Sequence, residues 1–171
     1  GIAPVHDAEA LRYHPRCYYR PDDGGPAERR PAMIASVTDL QGRITGAHRT
    51  WLAPDGSGKA AVPTPRRAMG NLLGHAVRFG AAEDVLTVGE GIETMLSLRA
   101  ALPGMPMAAA LSAGHLGALE IPRSLRRLYI ARDADPAGDK AAATLTARAV
   151  AVGIAVRVLS PRGGDFNEGL Q

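Results

Sequence analysis

Two apolar runs in the second half of the chain each lead into acidic residues, and this pattern constrains the fold more than any other. Residues 85–91 read VLTVGEG, so the first run ends in Glu90 between two glycines. Residues 128–131 read LYIA, and Asp133 and Asp135 follow them. Open α/β sheets bind their ligands just outside the carboxyl ends of the strands, and clustered carboxylates suit Mg²⁺ or Mn²⁺. The pattern indicates an α/β sheet with a metal-binding edge, as in enzymes that act on nucleotides or nucleic acid.

The remainder of this half alternates short apolar runs with helical segments. Strands are predicted at residues 85–88, 107–111, 127–131 and 154–159. Longer helices are predicted after the first and third of these strands, at 91–102 and 137–152, and a short helix is predicted to end at Leu119. Strands that alternate with helices are typical of a parallel sheet covered on both faces. The predicted fold class is therefore α/β, with a mostly parallel four-stranded sheet and flanking helices.

The first half has a different pattern. Residues 1–32 are rich in proline and are expected to form loops with one short helix near residues 6–13. Segments 32–38 and 43–52 flank a turn and predict a β-hairpin. Residues 63–71 are expected to form a loop or a short helix.

These two patterns predict two units. A small α+β subdomain is expected over residues 1–82, and the α/β domain over residues 83–171. The first unit is the more basic one, because residues 1–80 carry 11 Lys and Arg against 7 Asp and Glu, whereas residues 81–171 carry 9 against 10. A basic half beside an acidic edge fits a polyanion held next to a metal, although a solvated basic surface is the alternative.

Composition excludes several classes of protein. The 171 residues, 46% of them hydrophobic, suffice for a packed core. A single cysteine, Cys17, excludes a disulfide framework and a multi-cysteine zinc site within this chain. No apolar run reaches 18 residues and no signal peptide opens the sequence, so a cytoplasmic location without membrane contact is expected.

Two motifs of the second half together resemble the Toprim domain. Residues 88–94 read VGEGIET and residues 132–142 read RDADPAGDKAA. The family pattern is a strand with Glu-Gly and, later, a strand ending in Asp-x-Asp-x-x-Gly-x-x-Ala, as found in DnaG-type primases, topoisomerases and some nucleases. The resemblance covers residues 84–171 and implies a Rossmann-like Toprim fold.

Two further segments are similar to the Toprim primases of phages, plasmids and mobile elements. Residues 110–115, ALSAGH, resemble the strand and turn after the first helix of that subgroup. Residues 164–168, GDFNE, resemble its terminal acidic motif, in which an aspartate, here Asp165, completes the metal site.

The first half resembles the amino-terminal subdomain of bacterial primase cores more loosely. Residues 42–52, GRITGAHRTWL, resemble a hairpin that precedes a lysine loop, and Lys59 with residues 65–70 stands at the later position. Basic side chains of this half are therefore candidates for contacts with template or triphosphate. They are Arg43, Arg49, Lys59, Arg66 and Arg67, with a solvated basic face as their alternative role.

The resemblance implies a primase-like catalytic core. Such a core makes primers on a single-stranded DNA template by metal-dependent nucleotidyl transfer from nucleoside triphosphates, and a replicative helicase module is a further implied partner. Glu90 would be general base or metal ligand, and Asp133, Asp135 and Asp165 would hold Mg²⁺ or Mn²⁺. A Toprim-type nuclease using the same acids, and a non-catalytic nucleic-acid-binding module, are the alternatives. A topoisomerase is disfavoured, because no sign of the domain carrying its nucleophilic tyrosine is found.

Several acidic residues have competing interpretations. Many primases carry an acid four residues after the first glutamate, where this chain has Thr94. Glu93, one position earlier, either replaces that missing ligand or faces solvent, and the solvent-facing position is the preferred interpretation. Asp139 is expected to compensate the dipole of the helix that it begins. Asp165 is either a ligand or a turn residue. The histidines lack metal-ligand spacing and are expected to be structural or exposed, with His115 nearest to a turn that faces the site.

Overall fold

The first half of the chain forms an antiparallel sheet. In the computed structural model, which describes residues 9–160, four strands lie in the order β1-β2-β3-β4. They are β1 (Leu11–Tyr19), β2 (Glu28–Thr38), β3 (Ile44–Trp51) and β4 (Arg66–Gly70). The predicted hairpin is confirmed as β2 and β3, which pair from Ala32 opposite Trp51 to Val37 opposite Gly46.

Two predictions for this half are wrong. A short helix was expected to include residues 11–13, but they begin β1, and Leu11 pairs with Ala35 of β2. Residues 66–70, expected to be a loop or short helix, form β4 against β3. In both cases pairing with a neighbouring strand outweighs weak local propensity. The pairing of β3 with β4 also needs glycine, because a Cβ on Gly70, whose φ is +93°, would lie 2.7 Å from the Cα of Gly46.

The second half forms a mixed sheet of five strands in the order β5-β7-β6-β8-β9. The four predicted strands are confirmed, and they run parallel: β6 (Val85–Gly89), β7 (Met107–Ala109), β8 (Arg127–Ala131) and β9 (Ala155–Leu159). An additional edge strand, β5 (Val77–Phe79), pairs antiparallel with β7. Its three residues are too short for a periodic signal, which is why the sequence predicted four strands instead of five.

Three helices flank this sheet: α1 (Ile92–Ala101), α2 (Ala113–Ala118) and α3 (Pro136–Ala151). One face carries α2 and α3, whose Leu116 and Leu145 pack with Ile130 of β8 in a buried cluster. The other face carries α1 and also β2 of the first sheet, so that Met95 packs with Val37. The second sheet is thus covered on both faces, once by helices and once by a helix and the first sheet.

The two sheets are joined by hydrogen bonds as well as by packing. Thr38 at the end of β2 exchanges two backbone hydrogen bonds with Ala76, which directly precedes β5, at 2.9 and 3.2 Å. The strand that follows Ala76 is β5, so residues 1–82 contribute one strand to the second sheet. Among residues 9–160, no helix is long and apolar enough to cross a lipid bilayer.

Candidate active site

Glu90 follows β6 directly and lies at the carboxyl edge of the parallel sheet. Its backbone carbonyl accepts a 2.8 Å hydrogen bond from the amide of Leu111, which fixes it against the end of β7. The side chain is half-buried, and Oε1 is buried without a hydrogen-bond partner among residues 9–160. A buried acceptor without a donor is costly and is satisfied when a proton, a metal ion or a substrate group reaches it.

Asp133 and Asp135 follow β8, the strand next to β6. Asp135 is the N-cap of α3, and its Oδ1 accepts a 2.7 Å hydrogen bond from the amide of Gly138. The helix begins with Pro136, whose fixed φ suits a first helical position. Gly138 is required here, because a Cβ at this position would collide with the backbone carbonyl of Asp133. This tight turn brings the positive end of α3 to the same edge, where it favours phosphate.

The two aspartates act electrostatically on Glu90. The last residues of β6 and β8, Gly89 and Ala131, are directly paired, so the acids that follow them lie side by side. Burial, and after it the negative charges of Asp133 and Asp135, together raise the pKa of Glu90 to about 7. The structure therefore brings together the three acids that the sequence singled out, and it leaves Glu90 able to exchange a proton near neutral pH.

This donor set suits a hard divalent cation. It offers only carboxylate oxygens, as Mg²⁺ and Mn²⁺ prefer, and it includes the unpartnered Oε1 of Glu90. Within residues 9–160, however, no group of three or more His, Cys, Asp or Glu side chains is arranged so that it could hold a metal ion. Asp165, the fourth predicted ligand, lies outside the described residues. The metal site stays a prediction, with Glu90, Asp133 and Asp135 as its candidate ligands among the described residues.

Leu111 marks the end of a third strand at this edge. Its φ of 79° lies in the left-handed region, which costs a bulky residue about 1–3 kcal/mol and is found most often at functional sites. It lines a narrow cleft together with Glu90 and Gly91. The segment predicted to turn toward the site is thus present at the site in a strained conformation.

The opposite wall of this cleft comes from the first sheet. Met33 of β2, His48 and Thr50 of β3, and Arg66 of β4 face Glu90 across it. The candidate site is therefore built between the two sheets, and a basic residue predicted to contact nucleotide lies beside the predicted catalytic acids.

Sequence reasoning missed His48 as a site residue. Burial lowers its pKa, and the nearby charge of Arg66 lowers it further, although Glu93 partly opposes the shift. Its Nδ1 is buried without a hydrogen-bond partner in the described part of the chain. Strand alternation was the available signal, because residues two apart share one face and Thr50 lies on the same wall.

Glu93 is exposed only in part, because it is also held by two basic side chains. Its carboxylate forms ion pairs with Lys59 at 3.1 Å and with Arg66 at 3.5 Å, and 40% of its side chain is exposed. Thr94, which stands where many primases carry an acid, is buried. The acid at position 93 thus contacts the first sheet and the loop after β3.

The other predicted basic residues lie elsewhere. Arg49 packs over the ring of Trp51 at 5.1 Å, on the face of β3 opposite to His48, and Arg67 packs over Tyr19 at 5.2 Å. Tyr19 and Trp51 are both fully buried and meet edge to face, so they are core anchors and cannot stack on bases in this arrangement. Arg43 pairs with Asp39 at 2.7 Å on the hairpin turn. Only Lys59 and Arg66 of the predicted set contact Glu93 at the acidic cleft.

Asp139 has the expected place in the first turn of α3. It also forms a short ion pair with Arg132, whose Nε donates a 3.0 Å hydrogen bond to Ser160. Arg132 therefore links the start of α3 to the end of β9, beside the two aspartates.

Comparison with known proteins agrees with this architecture. Residues 85–171 match the family described as Toprim domain, and residues 1–79 match a domain of unknown function, DUF7146. No curated protein matches.

Solved structures of primases share the fold. The primase fragment of the bacteriophage T7 primase-helicase protein is 18% identical with a TM-score of 0.58, over 81% of this chain and 57% of that one. A DNA primase domain from Pseudomonas aeruginosa is 21% identical with a TM-score of 0.53, over 88% and 50%. The zinc-binding and RNA polymerase domains of Aquifex aeolicus primase are 19% identical with a TM-score of 0.55, over 90% and 41%. The chain spans about half the length of these structures.

Proposed function

Because the chain belongs to the Toprim family, we propose that it is a primase-like catalytic core, which joins nucleotides into primers on single-stranded DNA by metal-dependent transfer. One observation carries the proposal. Glu90, with a pKa raised to about 7, lies beside Asp133 and Asp135 at the carboxyl edge of the sheet, and it faces Arg66 across the cleft between the two sheets. In this proposal, carboxylates that bind a metal and an arginine that binds phosphate lie at one site.

In this proposal each half has its own part. Residues 83–171 supply the catalytic acids, and residues 1–82 supply basic groups for the triphosphate and the template. Mg²⁺ or Mn²⁺, held by Asp133 and Asp135 with Asp165, would neutralise charge on the triphosphate. Three basic residues lie away from the acids: Arg43, Arg49 and Arg67. We therefore assign them to the template strand and not to the triphosphate.

Glu90 is the proposed general base. A carboxylate whose pKa lies near the working pH removes a proton efficiently. It would take the proton from the attacking sugar hydroxyl of the growing strand, while that oxygen bonds to the α-phosphorus and pyrophosphate leaves. Lys59 and Arg66 would contact the phosphates. To do so, they would have to break their ion pairs with Glu93 and bind phosphate oxygens instead. The exposure of these side chains, 39% and 47%, leaves them accessible for that exchange.

A replicative helicase is the proposed macromolecular partner. One structural neighbour is a fragment of a primase-helicase protein, and the present chain spans only part of it.

Incorporation of labelled nucleotides on single-stranded DNA tests the proposal. We expect oligomers with Mg²⁺ or Mn²⁺ from the unmodified protein and none from Asp133→Asn/Asp135→Asn. Metal-dependent degradation of DNA without incorporation would instead indicate a nuclease. DNA binding that persists unchanged without metal and in the double variant, with neither activity, would indicate a binding module.

A further inference from the structure

A second cavity lies at the opposite edge of the five-stranded sheet. It has a volume of about 710 Å³, and its walls come from the turn between β2 and β3, from residues 78–82 and from Arg99 of α1. Leu86 and Met107, at the amino ends of β6 and β7, also line it. Glu90 follows the carboxyl end of β6, so a length of strand separates this cavity from the acidic cleft. Its size is in the range of cavities that bind small molecules.

Two arginines without ion-pair partners line this cavity. Neither Arg78 of β5 nor Arg99 makes a salt bridge within residues 9–160, unlike Arg43 on the same side. The Nε and Nη2 atoms of Arg78 are buried without hydrogen-bond partners. Among residues 9–160, Arg99 donates one hydrogen bond, from Nη1 to the carbonyl of Phe79 at 3.3 Å. Both guanidinium groups therefore retain donors for an acceptor that the described residues do not supply.

The acids near the cavity, which include Glu9 on its wall, form no ion pair with these arginines among residues 9–160. Asp39, on the wall, is already engaged by Arg43, whose Nε donates at 2.7 Å and whose backbone amide donates at 3.0 Å. Burial lowers the pKa of Arg78, and the charges of Glu120 and Asp39 oppose that shift from a distance. A buried guanidinium without a direct counter-ion is costly, and an anionic ligand would offset that cost.

Part of the remaining wall is apolar, beside the polar residues Glu9, Thr38, Gln41 and Ser124. Leu40, Ala82 and Pro122 are half-buried there, so each exposes some of its surface to the cavity. A ligand of this site thus needs an anionic group for the arginines and an apolar body for the rest. Inorganic phosphate alone would leave most of the volume unfilled.

We propose that this cavity is a second binding site, for a nucleoside phosphate, with the phosphate at Arg78 and Arg99 and the nucleoside against Leu40, Ala82 and Pro122. Arginine suits phosphate because its donors form a planar fork. The site lies on the far edge of the sheet from Glu90, so its ligand would not compete with a nucleotide at the acidic edge. The cavity is lined both by the turn after β2 and by β5, so a bound ligand would hold the two sheets together.

Thermal melting and titration calorimetry with AMP or GMP in the presence of EDTA test this site, because EDTA removes metal-dependent binding at the acidic edge. We expect a nucleoside monophosphate to raise the melting temperature of the full chain, since a ligand that binds only the folded state stabilises it. Arg78→Gln and Arg99→Gln should each weaken binding at least ten-fold. Arg157→Gln, a matched change of an exposed arginine on β9, should bind as the unmodified protein does. Asp133→Asn/Asp135→Asn should also bind normally.

Three outcomes would overturn the proposal. They are no binding of either nucleotide, equal binding by the unmodified protein and both arginine variants, and loss of binding only in the double aspartate variant. Equal affinity for inorganic phosphate would contradict the nucleoside part. Because Arg78 is largely enclosed, each variant is first melted without ligand, and Arg99→Gln carries the test if Arg78→Gln does not fold. The result is separable from the proposed primase activity, which is measured with metal and template.

Discussion

Lys59 and Glu93 form a 3.1 Å ion pair that joins the loop after β3 to the first turn of α1. Arg66 of β4 approaches the other carboxylate oxygen of Glu93 at 3.5 Å. One acid on the catalytic half therefore engages two cations of the basic half at the edge of the candidate site. In the proposed reaction those cations are the ones that meet the triphosphate, so Glu93 competes with the substrate for them.

Replacing Glu93 with glutamine should lower the KM for nucleoside triphosphate, because Lys59 and Arg66 are then available to the phosphates. Half-exposed ion pairs contribute little to folding, so the free energy of unfolding should change by less than about 1 kcal/mol. Lys59→Gln is the contrasting variant and should raise KM. Initial rates across triphosphate concentrations measure both effects. A rise of KM in Glu93→Gln as large as that in Lys59→Gln would show that Glu93 positions the cations instead of competing for them.

Glu90→Gln should reduce nucleotide incorporation by about 10²–10⁴-fold, the usual contribution of a general base. In the unmodified protein the rate should rise with pH through about 7, the pKa of Glu90, because only the ionised carboxylate accepts a proton. Bound metal would move this midpoint downward. A rate profile from pH 5.5 to 8.5 measures it, and the residual activity of the variant should lack the midpoint. An unchanged profile in the variant would remove Glu90 from the role of base.

The same group should make stability depend on pH. The pKa of Glu90 is raised from 4.5 to about 7 on folding, so the folded state holds the proton more tightly than the unfolded state does. Its contribution is fully present below pH 4.5 and is lost as the pH rises through 7. Without metal, Glu90→Gln should therefore melt close to the unmodified protein at pH 4.5 and above it at pH 8. A melting-temperature difference that does not change with pH would contradict this assignment.

Asp135 has two roles that substitution can separate. Asp135→Ala should lose the N-cap of α3 and about 1 kcal/mol of unfolding free energy, as well as metal binding. Asp135→Ser should keep the cap, because a hydroxyl also accepts from the amide of Gly138, but it should still lose metal affinity. Denaturant unfolding measures the first property, and Mn²⁺ titration followed by electron paramagnetic resonance measures the second. Normal Mn²⁺ affinity in the serine variant would exclude Asp135 as a ligand.

Gly138→Ala should destabilise the protein by about 1–3 kcal/mol and reduce activity, because the added methyl group would collide with the carbonyl of Asp133. Gly114→Ala is the matched control. It also lies in a helix, and an added Cβ there meets nothing within 4 Å, so it should be neutral or slightly stabilising. Unfolding by urea compares the two. Equal effects would show that close approach at Gly138 does not constrain this turn.

The second half was the more predictable one, because its signals are local. Val85–Gly89 and Arg127–Ala131 are apolar runs that end in acids, and parallel strands necessarily bring their carboxyl ends to one edge. The three strands that were missed depend on partners. Leu11–Tyr19 and Arg66–Gly70 become strands through pairing with β2 and β3, and Val77–Phe79 is too short to show a period.

The basic wall of the site was only partly predictable, for a related reason. The sequence marks Arg49, Arg66 and Arg67 as candidates and favours Arg49, but strand alternation places Arg66 at the cleft and its neighbour Arg67 over Tyr19. His48 and Glu93 gain their importance from the packing of one sheet against the other. The spacing of residues within one strand or helix cannot predict this contact between the two sheets.

The position of β5 limits where the chain can be divided without damaging the second sheet. Val77 and Phe79 belong to the first half by sequence, yet they are buried in the second sheet and protect the edge of β7. A fragment that begins after residue 82 would lack β5 and leave the edge of β7 uncovered, which favours aggregation. The second sheet is therefore complete only in a fragment that begins upstream of residue 77.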